Sequence, residues 1–237
     1  MKPLSLIVTF SLLAGCPSWR SSPVSEFPGF SEIEQSKVNF VFGAAKVTYF
    51  GKKGRLKGDM GIIAAAPDQL LIEVRGPGGA PISTFACDGT TVSLYDLDGP
   101  SFYQGPATPL SMARLLPLPI EPEYASALLL GKLPMPGRIR VYENRATSQR
   151  IEGEHATLGV LRVTRHSADH WLWELPDEGL RVDFSERQSN GLFRRVLIRS
   201  KGSEVLLRFS ELDSSGEAPA PDLFRLQAPA GVSVQRL

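Results

Sequence analysis

Apolar residues recur at every second position over most of this chain, and that period, more than any motif, limits what it can fold into. Alternate side chains of a strand point to opposite faces, so such a run buries one face and wets the other. Val38, Phe40, Phe42 and Ala44 alternate with small or polar neighbours, and Val47 and Tyr49 carry the pattern to a turn at Gly51-Lys52-Lys53-Gly54. Leu70, Ile72 and Val74 share a face, as do Ile82 and Thr84, and then Val92 and Leu94. Asp88-Gly89 between the last two runs is a hairpin signal. Later come Leu158, Val160 and Arg162, then Trp171, Trp173 and Leu175, then Leu180, Val182 and Phe184. Val196 with Ile198, and Val205, Leu207 and Phe209, complete the series. Short Gly- or Asp-containing turns at fairly even spacing predict one antiparallel sheet of about eleven strands, strongly curved or closed.

The middle of the chain breaks the period. Thr108 to Leu116 and Glu121 to Leu130 have helical spacing and are parted by Pro117 and Pro119. Thr108-Pro109 joins an N-cap residue to a proline at the first helical position, and Gly131 stands where a helix-ending glycine belongs. Ser31-Glu32-Ile33-Glu34 predicts one more short helix, continued by Lys37 and Val38. About three short helices are the only cover available for the concave side of such a sheet, too little to fill it. An apolar cavity is therefore expected, with a solidly packed core as the alternative. The fold class is mainly β, an α+β arrangement with no internal repeat and no domain break.

The N-terminus carries a different signal. Lys2 precedes an apolar stretch from Leu4 to Leu13, a length that suits a signal peptide and is too short to span a bilayer. It ends in Leu13-Ala14-Gly15-Cys16, which resembles the lipobox of bacterial lipoproteins: an apolar residue, two small ones and a cysteine. The resemblance implies export, cleavage before Cys16 and acylation there with chains such as palmitate. Each buried CH2 contributes about 0.8 kcal/mol, so two or three chains hold a protein on a membrane where one would not. Pro17-Ser18 is not the acidic signal for inner-membrane retention, so the periplasmic face of the outer membrane is the expected location. This divides the chain into a signal peptide (1–15), a lipidated cysteine with a Ser- and Pro-rich tether (16–30) and a folded body (31–237). An ordinary secretory signal with an incidental Cys16 is the competing reading.

Charge and composition remove other classes. Lys and Arg number 26 against 25 Asp and Glu, and no basic run has interleaved aromatics, so nothing directs the chain to nucleic acid. With Cys16 acylated, Cys87 is alone in an apolar run and reads as a small buried hydrophobe. No Gly-x-Ser-x-Gly elbow and no phosphate-binding loop is present; Gly76-Pro77-Gly78-Gly79 falls between two strands and reads as a turn. His155, His166 and His170 make a metal site only on paper, because the last two flank a strand turn and no acidic ligand has a fixed spacing to them. Glu152 and Glu154 would share a strand face and meet water. The expectation is a non-enzyme with no catalytic residues, metal or cofactor.

Several segments together resemble a family. Leu70-Leu71-Ile72-Glu73-Val74 runs into Gly76-Pro77-Gly78-Gly79, followed by the Asp88-Gly89 turn and Val92-Ser93-Leu94-Tyr95. Tyr103-Gln104-Gly105, Leu116-Pro117-Leu118-Pro119-Ile120 and Leu129-Leu130-Gly131-Lys132-Leu133-Pro134 then follow in order. This succession is similar to the LolA/LolB group of lipoprotein carriers and receptors, most closely over residues 68 to 135. Asp222-Leu223-Phe224 to Pro229-Ala230-Gly231-Val232 is similar to that group's last strand.

The resemblance implies a curved, half-open barrel of antiparallel strands with a helical lid over an apolar cavity for lipid or lipoprotein acyl chains. The implied wall is Val47, Tyr49, Leu70, Ile72, Val74, Trp171, Trp173, Val182 and Phe184, with Leu115, Leu116, Leu128 and Leu129 from the lid. For each of these, plain core packing is the alternative. Pro77, Gly78 and Gly79 match the loop whose exposed Leu helps deliver cargo to the membrane in the LolB family. Gly78 occupies the tip here, so that wedge is missing, and Phe102 or Tyr103 is a candidate replacement. The implied partners are acyl chains, a periplasmic carrier protein and a membrane reached through the anchor, in envelope lipoprotein localisation or sensing. A non-catalytic structural or protein-interaction module of the cell envelope is the alternative function.

Overall fold

A computed structural model describes residues 36–51, 54–76, 78–116 and 118–237. The expected signal peptide, Cys16, the tether, the start of the first helix at Ser31 and Pro77 of the β-turn lie outside the described residues.

Six strands form a first antiparallel meander: β1 (Phe40–Gly51), β2 (Gly54–Ala65), β3 (Gln69–Arg75), β4 (Pro81–Asp88), β5 (Thr91–Asp96) and β6 (Ser101–Pro106). Helices α1 (Pro109–Leu115) and α2 (Pro122–Leu129) follow. A second meander contains β7 (Arg138–Arg145), β8 (Ser148–His155), β9 (Gly159–Ser167), β10 (His170–Leu175), β11 (Leu180–Arg187), β12 (Phe193–Ser200) and β13 (Ser203–Asp213). β13 returns to pair with β1, and a short β14 (Val234–Arg236) adds to β6 in parallel. The result is one curved 14-stranded sheet in the order β14-β6-β5-β4-β3-β2-β1-β13-β12-β11-β10-β9-β8-β7. Its two end strands are not paired with each other, so the barrel is half-open, and α1 and α2 run between its two margins across the concave side.

The strand count exceeds the expected eleven partly because β2 hides its period. Leu56, Met60, Ile62 and Ala64 do alternate, but glycines at 54, 58 and 61 dilute the signal. Gly58 is needed where it stands, because a Cβ there would come within 2.4 Å of the Arg75 carbonyl oxygen.

The helices form as expected. The Thr108 hydroxyl accepts from the Ser111 N–H at 3.3 Å, with Pro109 in the first turn. Gly131 has φ +67° just beyond α2, and a side chain there would strike the Gly191 carbonyl at 2.4 Å. Lys37 and Val38 are not helical. The Ser36 N–H and hydroxyl bond instead to the carbonyls of Gly131 and Asn190, tertiary bonds that hold this segment against the end of α2.

Two further expectations are corrected. Leu158, Val160 and Arg162 do not form the buried face of β9; Leu161 and Val163 do, at 0% exposure. Val163 lies opposite Trp173, while Arg162 points outward to Glu152 at 2.8 Å and Glu174 at 3.7 Å. A one-residue slip exchanges the two faces of a strand, and here the non-local charge partners decide the register. Residues 222–232 are also not a strand. Pro221–Phe224 forms a 3-10 turn packed on β3 and β4, and the terminal strand comes later, at Val234–Arg236.

That late segment gives the convex side its own small core. Phe224, Ala86 and Phe102 are each 1% exposed yet stand apart from the main concave cluster. Phe102, a candidate for membrane contact from the sequence, is therefore buried. Cys87 is fully buried on the concave side, and burial pushes its thiol up to about 11.

Candidate functional site

Strand register arranges the concave side into rows. In the first meander, Ile62, Ile72, Phe85 and Leu94 face one another across β2 to β5. One level nearer the β3–β4 loop, Met60, Val74, Ser83 and Asp96 do the same. In the second meander, Trp171, Phe184, Val196 and Leu207 form a row that ends on Val47 of β1. Trp173, Val182, Ile198 and Val205 form the next and end on Tyr49.

Between these rows and the helices lies an open-mouthed cavity of about 340 Å³. Both rows of the first meander line it in full. Of the second meander only the row centres do, namely Phe184, Val196, Leu207, Val182, Ile198 and Val205. The lid contributes Leu115, Leu116, Leu118, Ala125, Leu128 and Leu129. Amphipathic α2 buries Ala125, Ser126 and Leu128 toward β2 and β3, while α1 meets β5 through a face containing Met112.

Eight of the thirteen wall residues named from the sequence are thereby brought together: Ile72, Val74, Leu115, Leu116, Leu128, Leu129, Val182 and Phe184. Five are not part of the cavity. Val47 and Tyr49 close the row ends against the core, and Leu70 lies one level deeper, opposite Cys87 and Ala64. Trp171 and Trp173 are packed solid at the other ends, their indole N–H groups donating to the Ala168 and Pro134 carbonyls. Period two gives the correct face for these strand residues. What it does not give is the level along each strand at which the short helices leave room.

Met60, Ile62, Ser83, Phe85 and Asp96 also line the cavity, without a signal in the sequence that marks them as wall. Met60 and Ile62 belong to the glycine-diluted strand, and Ser83 and Asp96 are polar. The loop at Gly78 and Gly79 adopts φ of +86° and +81°, with open space where a side chain would stand. Both conformations favour glycine.

The histidines and Glu152 and Glu154 lie outside the cavity lining. The His155 Nδ1 accepts from the Thr157 and Leu158 N–H groups, capping the β8–β9 turn. The His166 and His170 rings lie 4.8 Å apart across the β9–β10 hairpin, away from His155. Among the described residues no group of His, Cys, Asp or Glu is arranged to hold a metal ion. Glu152 and Glu154 share a face as expected but are not simply hydrated. Hydrogen bonds from Arg150 and Arg162 hold the Glu152 carboxyl below its ordinary value, and Glu154 pairs with Arg140.

No family model matches this sequence, and no curated protein is similar to it in sequence. Among solved structures, the chain is similar to a LolA superfamily protein, NE2245 from Nitrosomonas europaea, with a TM-score of 0.51 at 5% identity over 81% of this chain and 92% of that one. A domain from Vibrio parahaemolyticus named for outer membrane lipoprotein sorting gives a TM-score of 0.49 at 8% identity over 78% and 89%. The likeness to the Nitrosomonas structure makes the half-open barrel with its two-helix lid a LolA-like fold.

Proposed function

We propose that this chain is a non-enzymatic lipoprotein that holds an acyl chain of a lipid or lipoprotein in its concave cavity, in envelope lipoprotein localisation or sensing. The observation that carries the reading is the cavity itself. About 340 Å³ of space is walled almost wholly by apolar side chains and covered by only two short helices. Ligand sites begin at roughly this size and are lined in this way. The LolA-like fold agrees with it.

Volume also sets the load. A 150 Å³ apolar cavity holds one benzene, so 340 Å³ holds on the order of a dozen carbons. That is one acyl chain, not the two or three of a whole lipoprotein anchor. Larger cargo requires the lid to move outward.

The anchor is the acylated Cys16, with residues 1–15 removed as signal peptide and 16–30 as tether, on the periplasmic face of the outer membrane. A periplasmic carrier protein is the expected donor. The Gly78 loop offers no apolar tip, but Phe50, Leu56 and Ile82 are large, exposed and lie toward the same end of the sheet. Arg55 stacks over Phe50 at 5.0 Å, adding a positive charge suited to anionic lipid. These residues take the membrane contact.

Native mass spectrometry of the purified protein in detergent-free buffer tests the cavity. Co-purifying acylated species, displaced by added lipid and competing with a fluorescent acyl probe, are expected. A clean apo mass with no probe uptake would sink the reading and leave a packed interaction module. Labelling with palmitate, expected in the wild type and absent from Cys16→Ser, tests the anchor.

A further inference from the structure

Among the described residues the cavity wall is polar at one place. Of those lining residues, Ser83 and Asp96 alone carry polar side chains, and they face each other directly across β4 and β5. They complete the row that begins Met60–Val74, at the level nearest the loop that joins β3 to β4. The wall is therefore graded, oily through its depth and polar at the mouth. Among the described lining residues there is no lysine, arginine or histidine. One Asp96 oxygen accepts from the Asp98 N–H at 3.1 Å, which fixes the carboxylate at the start of the β5–β6 turn.

We infer that the cavity selects acyl chains whose polar end is uncharged or cationic and donates hydrogen bonds, and that it rejects chains ending in a carboxylate or phosphate. This rests on the acyl-chain reading above and adds the headgroup to it. A chain seated against Ile72, Phe85 and Leu94 brings its head to Ser83 and Asp96. A glyceryl hydroxyl, an amide N–H or an ammonium satisfies the carboxylate there. An anionic head is held beside a like charge with no cation among the described lining residues to offset it, at the edge of an apolar volume where screening is weak.

The test is competition on the full chain, with a fluorescent monoacylglycerol displaced by monolaurin, dodecylammonium, laurate or dodecyl phosphate. Monolaurin and dodecylammonium are expected to displace at concentrations about tenfold lower than the two anions. Asp96→Asn keeps an acceptor for the Asp98 N–H and should reduce that preference to about twofold or less. Asp96→Glu should retain it, and Asp98→Asn, outside the lining, should leave it unchanged. Equal displacement by all four in the wild type would overturn the headgroup inference while leaving acyl binding intact. So would an Asp96→Asn protein that is folded by circular dichroism and keeps full selectivity. Failure of the fluorescent probe to bind at all would overturn the acyl-chain reading itself and the inference with it.

Discussion

The guanidinium Nε of Arg225 lies 2.8 Å from Asp88 Oδ2, so one ion pair fastens the segment crossing the convex face to the β4–β5 turn. The other Asp88 oxygen accepts from the Thr90 and Thr91 N–H groups, at 3.0 and 2.8 Å, and from the Thr90 hydroxyl. A single carboxylate thus organises a hairpin and receives a segment from more than a hundred residues later in the sequence.

This arrangement predicts an acid-sensitive contribution to stability. Burial alone would raise the Asp88 carboxyl, but the hydrogen bonds from Thr91, Thr90 and Arg225 outweigh it and hold it at about 2, against an ordinary 3.8. A carboxylate depressed in the folded state stabilises fully above its unfolded value and ceases to as pH falls through its folded value. Asp88→Ala should therefore cost roughly 2 kcal/mol at neutral pH. The difference should shrink as pH falls from about 4 toward 2, read by urea unfolding. A difference that stays constant over that range would show that Asp88 acts through something other than its charge.

The convex cluster predicts a separation of stability from binding. Phe224→Ala removes a ring that is 1% exposed and should cost about 3 kcal/mol. Because Phe224 packs on the opposite side of the sheet from the cavity, acyl-probe affinity at moderate temperature should change by less than about twofold. Loss of affinity in the folded variant would mean that the two faces are coupled.

Cavity wall and packed core should answer differently to the same insult. Ile72→Glu places a carboxylate where it borders open volume; the domain should remain folded and lose probe binding. Leu161→Glu, at a fully buried position outside the lining, should unfold it. Unfolding of both, measured by circular dichroism, would contradict a cavity at Ile72.

At the open end, Phe50 is 37% and Leu56 56% exposed. Phe50→Ser with Leu56→Ser should slow transfer of the probe to anionic vesicles by about thirtyfold, since each side chain forfeits on the order of 1 kcal/mol of lipid contact. Probe affinity in the absence of vesicles should not change. Unaltered transfer would exclude this hairpin from the membrane contact.

Much of this architecture is written locally. Alternation places Ile72, Val182 and Phe184 on the concave face, Asp88-Gly89 forms its hairpin, and Thr108-Pro109 starts its helix. What fails is what depends on distant chain. Leu158 and Val160 form as good an apolar face as Leu161 and Val163, and partners from other strands, Ile151, Trp173, Glu152 and Glu174, break the tie. Phe102 is a candidate for membrane contact in the sequence and is buried in the fold because its cover arrives from residues beyond 213. The polar pair at Ser83 and Asp96 has no signature in the sequence because neither residue belongs to an apolar run, although register sets both at the cavity mouth.

One pairing has a kinetic meaning. Within each meander neighbouring strands are joined by short turns and close at small entropic cost, whereas β1 meets β13 by bringing Phe42 beside Asp213. The cavity takes walls from both meanders, so half of it cannot exist before that long closure is made. Hairpins nucleate early; the hollow comes last. A freshly made chain has no place for cargo until its two halves have met, and uptake of a ligand by a refolding sample would time the final event of folding.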